Sequence, residues 1–160
     1  MLDGVTWPLE WNVIRRNSVS NTFGMVRKYA NGTPKPHQGW DFSAAVGTPA
    51  FAIADGKVIF VHNGVDYGRQ LCMSFSVDGK HYYAFYAHMK SISVLANQTV
   101  KKDAFLGHTG KTGNASNLAA IEDHLHFEIR TKAYCGTGLT GRVSPLKVFG
   151  VCPLHDPIQG

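Results

Sequence analysis

Alternating apolar and polar positions predict β-strands in the middle of the chain and near its end. Residues 69–77 (RQLCMSFSV) and 80–88 (KHYYAFYAH) flank Asp78-Gly79, a dipeptide typical of tight hairpin turns. Residues 124–130 (HLHFEIR) alternate strictly, which is the period of a strand with one buried face. Together these segments predict a mainly antiparallel β-sheet.

Two shorter apolar segments extend this prediction. Residues 50–53 (AFAI) and 56–62 (GKVIFVH) flank Asp55-Gly56, a second turn signal. The first ~35 residues contain the stretches WPLEW and NGTPKP, which resist regular structure and predict loops.

Signals for helices are few. Ser144 and Pro145 predict one short helix that ends at Phe149, with Ser144 as the N-cap and Pro145 at the first helical position. The fold class expected from the pattern is therefore mainly β with little helix.

Length and composition fit one domain with a hydrophobic core, since the chain has 160 residues of which 44% are apolar. No apolar run approaches the ~18 residues of a membrane span. The first residues, MLDGVTWPLEW, lack the basic and apolar regions of an intact secretory signal. We therefore expect either no export by that route or a chain that starts after processing.

The net charge of +5 favours a polyanionic partner such as a bacterial cell wall, although solubility alone would explain it equally well. Neither an RNA-binding signature nor a basic helix is present, so we do not expect nucleic acid as a partner. Cys72 lies in an apolar run and is expected to be a buried thiol. Cys135 and Cys152 bracket a glycine-rich segment and are predicted to form a disulfide.

The segment HLHFEIR separates its side chains onto two faces when it is extended. One face carries the apolar side chains Leu125, Phe127 and Ile129. The other carries the polar side chains His124, His126, Glu128 and Arg130. Two imidazoles at i and i+2 stand side by side, close enough to serve one site.

Two further segments offer similar chemistry. In HQGWDF, His37 and Asp41 share one face of an extended segment, and a histidine with a carboxylate suits a cation such as zinc. In YAFYAHM, strict alternation would place Tyr86 and His88 on one face. Each cluster is weak alone, because a single strand histidine is more often a structural group than a ligand.

Taken together, the three segments resemble the lysostaphin/LytM-type zinc peptidases. HQGWD matches the HxxxD motif of that family, HLHFE matches its HxH motif, and YAHM resembles the strand-end histidine between them. Further matching stretches are TFG, GTPAFAIADGKV, YGRQL, VKKDAFLGHTGKTG and SP, so that the resemblance covers roughly residues 20–146.

The resemblance implies a role for each matched position. His37, Asp41 and His126 would bind one zinc ion and leave a coordination position open, as catalytic zinc sites do. His88 and His124 would be catalytic, one as general base and then acid and the other as stabiliser of the oxyanion; the sequence does not say which does which.

Other residues near these motifs receive less specific interpretations. Tyr29 or Tyr86 would add a hydrogen bond to the transition state, but aromatic packing is favoured for both. Glu128 either orients a metal ligand or is a plain surface carboxylate. Lys111, in a glycine-rich turn without phosphate-loop spacing, is expected to be solvated.

The stretch before HLHFE departs from the family pattern. The family has a short glycine-containing stretch that ends in GPHLH, whereas this chain reads GNASNLAAIEDHLHFE. Residues 114–122 therefore look like a remodelled loop at the lip of the cleft. We expect Glu122 and Asp123 to favour a cationic group on the substrate, and substrate choice to differ from the family pattern.

The resemblance implies one catalytic domain over residues 1–160, with an antiparallel sheet and long loops that form a cleft. Residues 1–20 and 132–160 would be extensions of it. The implied function is a zinc-dependent endopeptidase that cuts stem or cross-link peptides of peptidoglycan. Two alternatives remain: a non-catalytic LytM-like module that activates another wall hydrolase, and a zinc amidase. All five motif positions are filled, which favours the enzyme.

The implied site of action is the cell wall, for a protein that is secreted or periplasmic. A lone catalytic domain would suit a trimmed secreted hydrolase or an antibacterial toxin delivered by a dedicated machine. A toxin of this kind would have a cognate immunity protein that plugs the cleft.

Overall fold

A nine-stranded antiparallel sheet forms the centre of the protein, in a computed structural model that describes residues 1–160. The strands are β1 (Trp11–Asn12), β2 (Gly24–Lys28), β3 (Pro34–His37), β4 (Trp40–Ser43), β5 (Pro49–Phe51), β6 (Gly56–Asn63), β7 (Arg69–Val77), β8 (Lys80–Ile92), β9 (Thr99–Val100), β10 (Phe105–Thr109), β11 (His124–Arg130), β12 (Arg142–Val143) and β13 (Ile158–Gln159). The single α-helix, α1, is Leu146–Phe149. The prediction of a mainly β, single-domain fold with little helix is confirmed.

The central sheet runs in the order β12-β11-β8-β7-β6-β9, with β4 beside β11 and with β10 beside both β5 and β8. Two small antiparallel pairs lie outside it, β1 with β13 and β2 with β3. Strand β11 therefore lies between β4 and β8, and this position brings the three histidine-bearing segments together.

The hairpin at Asp78-Gly79 is confirmed, since β7 and β8 pair from Val77 and Lys80 onward and both turn residues have positive φ. The turn at Asp55-Gly56 behaves differently. Strand β5 pairs with β10, and β6 pairs with β7 and β9, so the two segments that flank this turn do not pair with each other.

The core is formed largely by aromatic and aliphatic side chains on one face of the sheet. Trp7, from the loop-rich first segment, stacks on Phe149 of α1 with ring centroids 4.3 Å apart. The short helix ends at Phe149 as predicted, but it begins at Leu146 with Pro145 as the N-cap, one residue later than predicted. The Ser144 hydroxyl accepts a hydrogen bond from the Leu146 amide. The limits assigned to the domain and its extensions stay a prediction.

The predicted disulfide is wrong, because all three cysteines are free thiols. Cys135 lies in the loop between β11 and β12, where its thiol is 3.5 Å from the Lys132 carbonyl oxygen and 3.6 Å from that of Gly141. Cys152 packs against the core instead. Cys72 is buried as predicted, and burial raises the pKa of its thiol to about 12.

No helix in the structure is long and apolar enough to cross a membrane.

Candidate metal centre and active site

The register between β4 and β11 brings the first two predicted ligands together. Asp41 and His126 are directly opposite each other in this antiparallel pair, so their side chains point to the same face. His37, the last residue of β3, reaches the same point across a two-residue connection. Gly39 in that connection lies against the backbone of Phe127, where any Cβ would collide with the carbonyl oxygen.

His37, Asp41 and His126 offer three ligand atoms that all lie within 4.8 Å of one another. Asp41 Oδ1 is 3.2 Å from His37 Nε2 and 2.8 Å from His126 Nδ1. Ligand atoms of tetrahedral zinc lie about 3.3 Å apart, given zinc–ligand bonds of about 2.0 Å. Two imidazoles and one carboxylate at this spacing fit zinc and leave one coordination position for another group.

Hydrogen bonds on the far side of each ring orient the two imidazole ligands. His37 Nδ1 donates to the Thr22 carbonyl oxygen at 2.8 Å, which leaves the lone pair on Nε2. His126 Nε2 donates to Glu128 Oε2 at 2.8 Å, which leaves the lone pair on Nδ1. Such outer partners are what fixes the tautomer of metal-binding histidines.

The charges around His126 also suit a cation. Burial lowers the pKa of His126, but its hydrogen bonds to the Asp41 and Glu128 carboxylates outweigh this effect and raise that pKa to about 9. Despite its burial, the pKa of Asp41 lies well below its usual value, because the His126 and His37 imidazoles beside Oδ1 stabilise the charged carboxylate. A divalent cation bound at His126 Nδ1, beside Asp41, would replace the proton that this nitrogen otherwise holds.

Glu128 is fully buried, so the interpretation as a plain surface carboxylate is wrong. Besides His126, its carboxylate accepts hydrogen bonds from Arg130 Nε and Arg142 Nε, both at 2.7 Å, and from the Tyr67 hydroxyl at 2.7 Å. Two guanidinium groups thus balance one carboxylate, and this network orients His126 from behind.

Tyr67 and Arg142 were not singled out from the sequence. The Tyr67 ring stacks on His126 with centroids 5.2 Å apart, and the Gln38 amide donates to its hydroxyl. The YGRQL match included Tyr67, but only the tertiary structure shows that this ring contacts His126. Nothing in the sequence around Arg142 indicates an ion pair with Glu128.

The prediction that Tyr86 and His88 share a face is wrong. Tyr86 is fully buried in the core, where its hydroxyl donates to the Phe51 carbonyl oxygen at 2.8 Å. His88 has a left-handed backbone with φ of 59°, which is rare for a non-glycine residue. Strand alternation fails there, and the His88 ring lies 6.1 Å from the His126 ring.

His88 and His124 lie side by side, with ring centroids 5.1 Å apart. His88 Nδ1 donates to the Thr112 carbonyl oxygen at 2.7 Å, and His124 Nδ1 donates to that of Glu122 at 2.8 Å. Both rings thus keep the lone pair on Nε2. Burial lowers the pKa of His88 to about 4 and also lowers that of His124, so both rings are neutral proton acceptors near pH 7.

Two arginines that the sequence did not single out hold the other oxygen of Asp41. Arg15 and Arg27 place guanidinium nitrogens 3.0 Å and 3.1 Å from Asp41 Oδ2. Asn21 Oδ1 accepts from both arginines and fixes them relative to each other. Because Oδ2 is occupied in this way, Oδ1 is the oxygen that remains for a metal.

The structure does not support the prediction that the loop acids recognise a cation. Glu122 already pairs with Arg16 at 2.9 Å, and Asp123 is buried 3.5 Å from Lys111 Nζ. Lys111 is only partly solvated, with 35% of its side chain exposed, because its ammonium also donates to the Leu118 carbonyl oxygen at 2.8 Å. These contacts tie down residues 114–122, which form two short 3-10 turns.

Tyr29 takes no part in the site, since it is half exposed and lies under Lys35, 5.4 Å from the ammonium. The histidines without an assigned role have other contacts or none. His62 stacks on Phe60, His81 contacts Ser76 and His108 contacts Ser91, while His155 is exposed.

Comparisons with known proteins agree with this geometry. Residues 35–136 match the sequence model of Peptidase family M23. The chain is 31% identical over 112 residues to the peptidoglycan DD-endopeptidase ShyB of Vibrio cholerae. This alignment covers 69% of the chain and 24% of ShyB. It is also 31% identical over 127 residues to the murein hydrolase activator NlpD of Escherichia coli. This alignment covers 79% of the chain and 28% of NlpD.

The fold matches the catalytic domain of lysostaphin from Staphylococcus simulans with a TM-score of 0.66, at 24% identity, over 81% of this chain and 90% of that domain. This likeness concerns the fold alone. The chain spans about a quarter of the length of ShyB and NlpD. The family match covers most of the chain and both metal-ligand motifs. The chain belongs to Peptidase family M23.

Proposed function

We propose that this protein is a zinc-dependent endopeptidase that hydrolyses peptide bonds of bacterial peptidoglycan, in stem or cross-link peptides. The observation that carries the proposal is the convergence of His37, Asp41 and His126, with ligand atoms within 4.8 Å, beside two neutral histidines. When bound there, zinc would polarise the scissile carbonyl and lower the pKa of a water molecule.

The roles of His88 and His124 follow from their free Nε2 atoms. Either ring can accept the proton of the attacking water and return it to the leaving amine, because both are neutral near pH 7. The other ring, if protonated, would donate to the developing oxyanion. The Thr112 and Glu122 carbonyl oxygens hold the two rings in position for this work.

The peptidoglycan substrate is inferred from relatives. ShyB is described as a peptidoglycan DD-endopeptidase, and the basic charge of this chain suits an anionic wall. Action at the wall places the proposed function outside the cytoplasm. Delivery as an antibacterial toxin, and an immunity protein that plugs the cleft, stay predictions.

The similarity to NlpD supports a second candidate function, that of a module that activates another wall hydrolase. Activation by contact would not require five buried side chains in a metal-binding and proton-transfer arrangement, so the geometry favours the enzyme. A zinc amidase would use the same arrangement, and only the products distinguish it from an endopeptidase.

The test is digestion of purified peptidoglycan of both wall types by zinc-loaded protein, with products identified by mass spectrometry. We expect peptide fragments with new amino and carboxyl termini. Products cut between sugar and peptide would identify an amidase instead. Activity that survives His126→Ala would contradict the zinc mechanism, and no product from either wall would favour the activator.

A further inference from the structure

A broad groove of about 760 Å³ opens beside the candidate metal centre. Five cations line it, and Glu122 is the only acid among its ten lining residues. The cations are Arg15, Arg16, Arg27, Lys28 and Lys35. We call this feature the basic groove.

The basic groove adjoins the metal centre through two of its own residues. Arg15 and Arg27 line the groove and also contact Asp41 Oδ2, at 3.0 Å and 3.1 Å. Arg15 Nη1 is in addition 3.1 Å from His124 Nδ1. The groove therefore lies next to the metal centre, on the side of Asp41 where Arg15 and Arg27 bind, although none of the five predicted site residues lines it.

The charges in the basic groove are only partly balanced within the protein. Arg15 and Arg27 share Asp41, and Arg16 pairs with Glu122. Lys28 and Lys35 form no ion pair and are exposed. Arg27 and Lys35 even lie directly opposite each other in the β2–β3 pair, where like charges are destabilising. An anionic ligand would relieve this repulsion.

We propose that the basic groove binds a free carboxylate of the wall peptide and thereby selects acidic peptides as substrates. This inference rests on the proposed function, because it assigns the groove to the same substrate. Ammonium and guanidinium groups bind carboxylates through charge-assisted hydrogen bonds, which are roughly twice as strong as neutral ones. The selectivity is opposite to that expected for Glu122 and Asp123, whose charges are already paired.

The test compares two synthetic stem peptides of the same sequence. One keeps its side-chain and main-chain carboxylates free, and the other carries carboxamides there. Binding to the zinc-loaded protein is followed by isothermal titration calorimetry at low and at high salt. We expect the free acid to bind roughly tenfold tighter at low salt, with a smaller ratio at high salt because salt screens exposed charges.

The variant that tests the assignment is Lys28→Gln/Lys35→Gln, which removes the two unpaired cations and leaves the arginine contacts to Asp41 intact. We expect the affinity ratio between the two peptides to fall to about one. The matched control is Lys80→Gln, an exposed lysine at the start of β8 in the Asp78-Gly79 hairpin, which should keep the tenfold ratio. Thermal melting of each variant checks that it is folded.

Equal affinity for the two peptides in the unaltered protein would overturn the proposal, as would a tenfold ratio that survives in the double variant. Tighter binding of a glycerol-phosphate polymer, with no preference between the peptides, would assign the groove to wall phosphate and overturn it too. The binding readout needs no turnover. If the protein cleaves peptidoglycan but binds both peptides equally, only the proposal for the basic groove is contradicted. If it prefers the free acid but cleaves nothing, only the proposed endopeptidase activity is contradicted.

Discussion

The two sides of the candidate metal centre are built in different ways. The strand side consists of Asp41 and His126, which are paired by the backbone register of β4 and β11, and of Glu128, two residues further along β11. What we call the loop side consists of Arg15, which lies in a 3-10 turn, and His88, a left-handed residue within β8, with the carbonyl groups that orient the catalytic histidines. Strand pairing fixes the first side, whereas individual side-chain contacts fix the second.

Because of this difference, we expect substitutions on the two sides to have different effects on the protein. On the strand side, each polar group is buried and has two or more charged or hydrogen-bonded partners, so one substitution leaves several groups unsatisfied. On the loop side, the buried His88 side chain has one hydrogen bond, to the Thr112 carbonyl oxygen, and Arg15 shares Asp41 with Arg27, so that a second group remains when Arg15 is lost. We therefore expect strand-side changes to affect metal binding and folding together, and loop-side changes to affect mainly the reaction.

The largest expected effect is that of Asp41→Ala. It removes a ligand that contacts both other ligands and leaves the Arg15 and Arg27 guanidiniums without their shared carboxylate. We expect zinc content, measured by inductively coupled plasma mass spectrometry, to fall to background and wall hydrolysis to fall at least about 1,000-fold. Asp156→Ala, at an exposed position, is the control. Full zinc occupancy in Asp41→Ala would disprove the assignment of this ligand.

A change behind the metal ligand comes next, at Glu128. Glu128→Gln leaves the Arg130 and Arg142 side chains without a buried counter-charge, so unfolding free energy should fall by about 3 kcal/mol or more. Loss of the carboxylate behind His126 should also weaken zinc affinity by about 10- to 100-fold.

Urea unfolding of zinc-free protein and competition with a chelator measure the two effects of Glu128→Gln. Tyr67→Phe is the matched variant, because it deletes one hydrogen bond to Glu128 and keeps the charge. It should cost about 1 kcal/mol. Equal losses in the two variants would show that the charge of Glu128 is unimportant.

The third prediction concerns pH and His88. Its pKa is lowered from 6.5 to about 4 by burial, with further lowering by His126 and His124. A histidine with a lowered folded-state pKa contributes stability that is present above pH 6.5 and is lost as the pH falls from 6.5 towards 4. The loss from this group is at most about 3 kcal/mol.

The control for this pH effect is His88→Asn, since asparagine tolerates the left-handed backbone and does not titrate. The difference between the unfolding free energies of the zinc-free protein and this variant should shrink between pH 6.5 and 4. A difference that stays constant across that range would show that His88 titrates normally in the folded protein.

The smallest expected effect belongs to Arg15→Gln on the loop side. Arg27 still holds Asp41 Oδ2, so the fold and the metal should remain, while kcat/KM falls about tenfold through loss of the contact beside His124. Arg15→Lys should restore part of this loss, and Lys147→Gln on the exposed face of α1 should change nothing. A loss of zinc in Arg15→Gln would show that Arg15 is needed for metal binding, as the strand-side residues are.

The pattern of apolar and polar residues identified the longest strands, β6, β7, β8 and β11, and the polar face of HLHFEIR, but of the shorter strands only β5. Periodicity works there because β11 is regular and pairs on both sides. It failed at Tyr86 and His88, since one left-handed residue reverses the faces of a strand and no pattern in the sequence marks it. It also treated the first segment as loops, although that segment supplies Arg15 to the site.

The sequence by itself determined the chemical inventory of the site: two histidines with an aspartate at ligand spacing, and two further histidines nearby. The resemblance of three motifs to one peptidase family assigned these residues to one site, while spacing on extended segments indicated only which neighbouring side chains share a face. Only the tertiary structure decided which oxygen of Asp41 is free, which proton each histidine carries and where the unpaired lysines gather. Those features depend on contacts between residues that are distant along the chain, and local patterns carry no information about them.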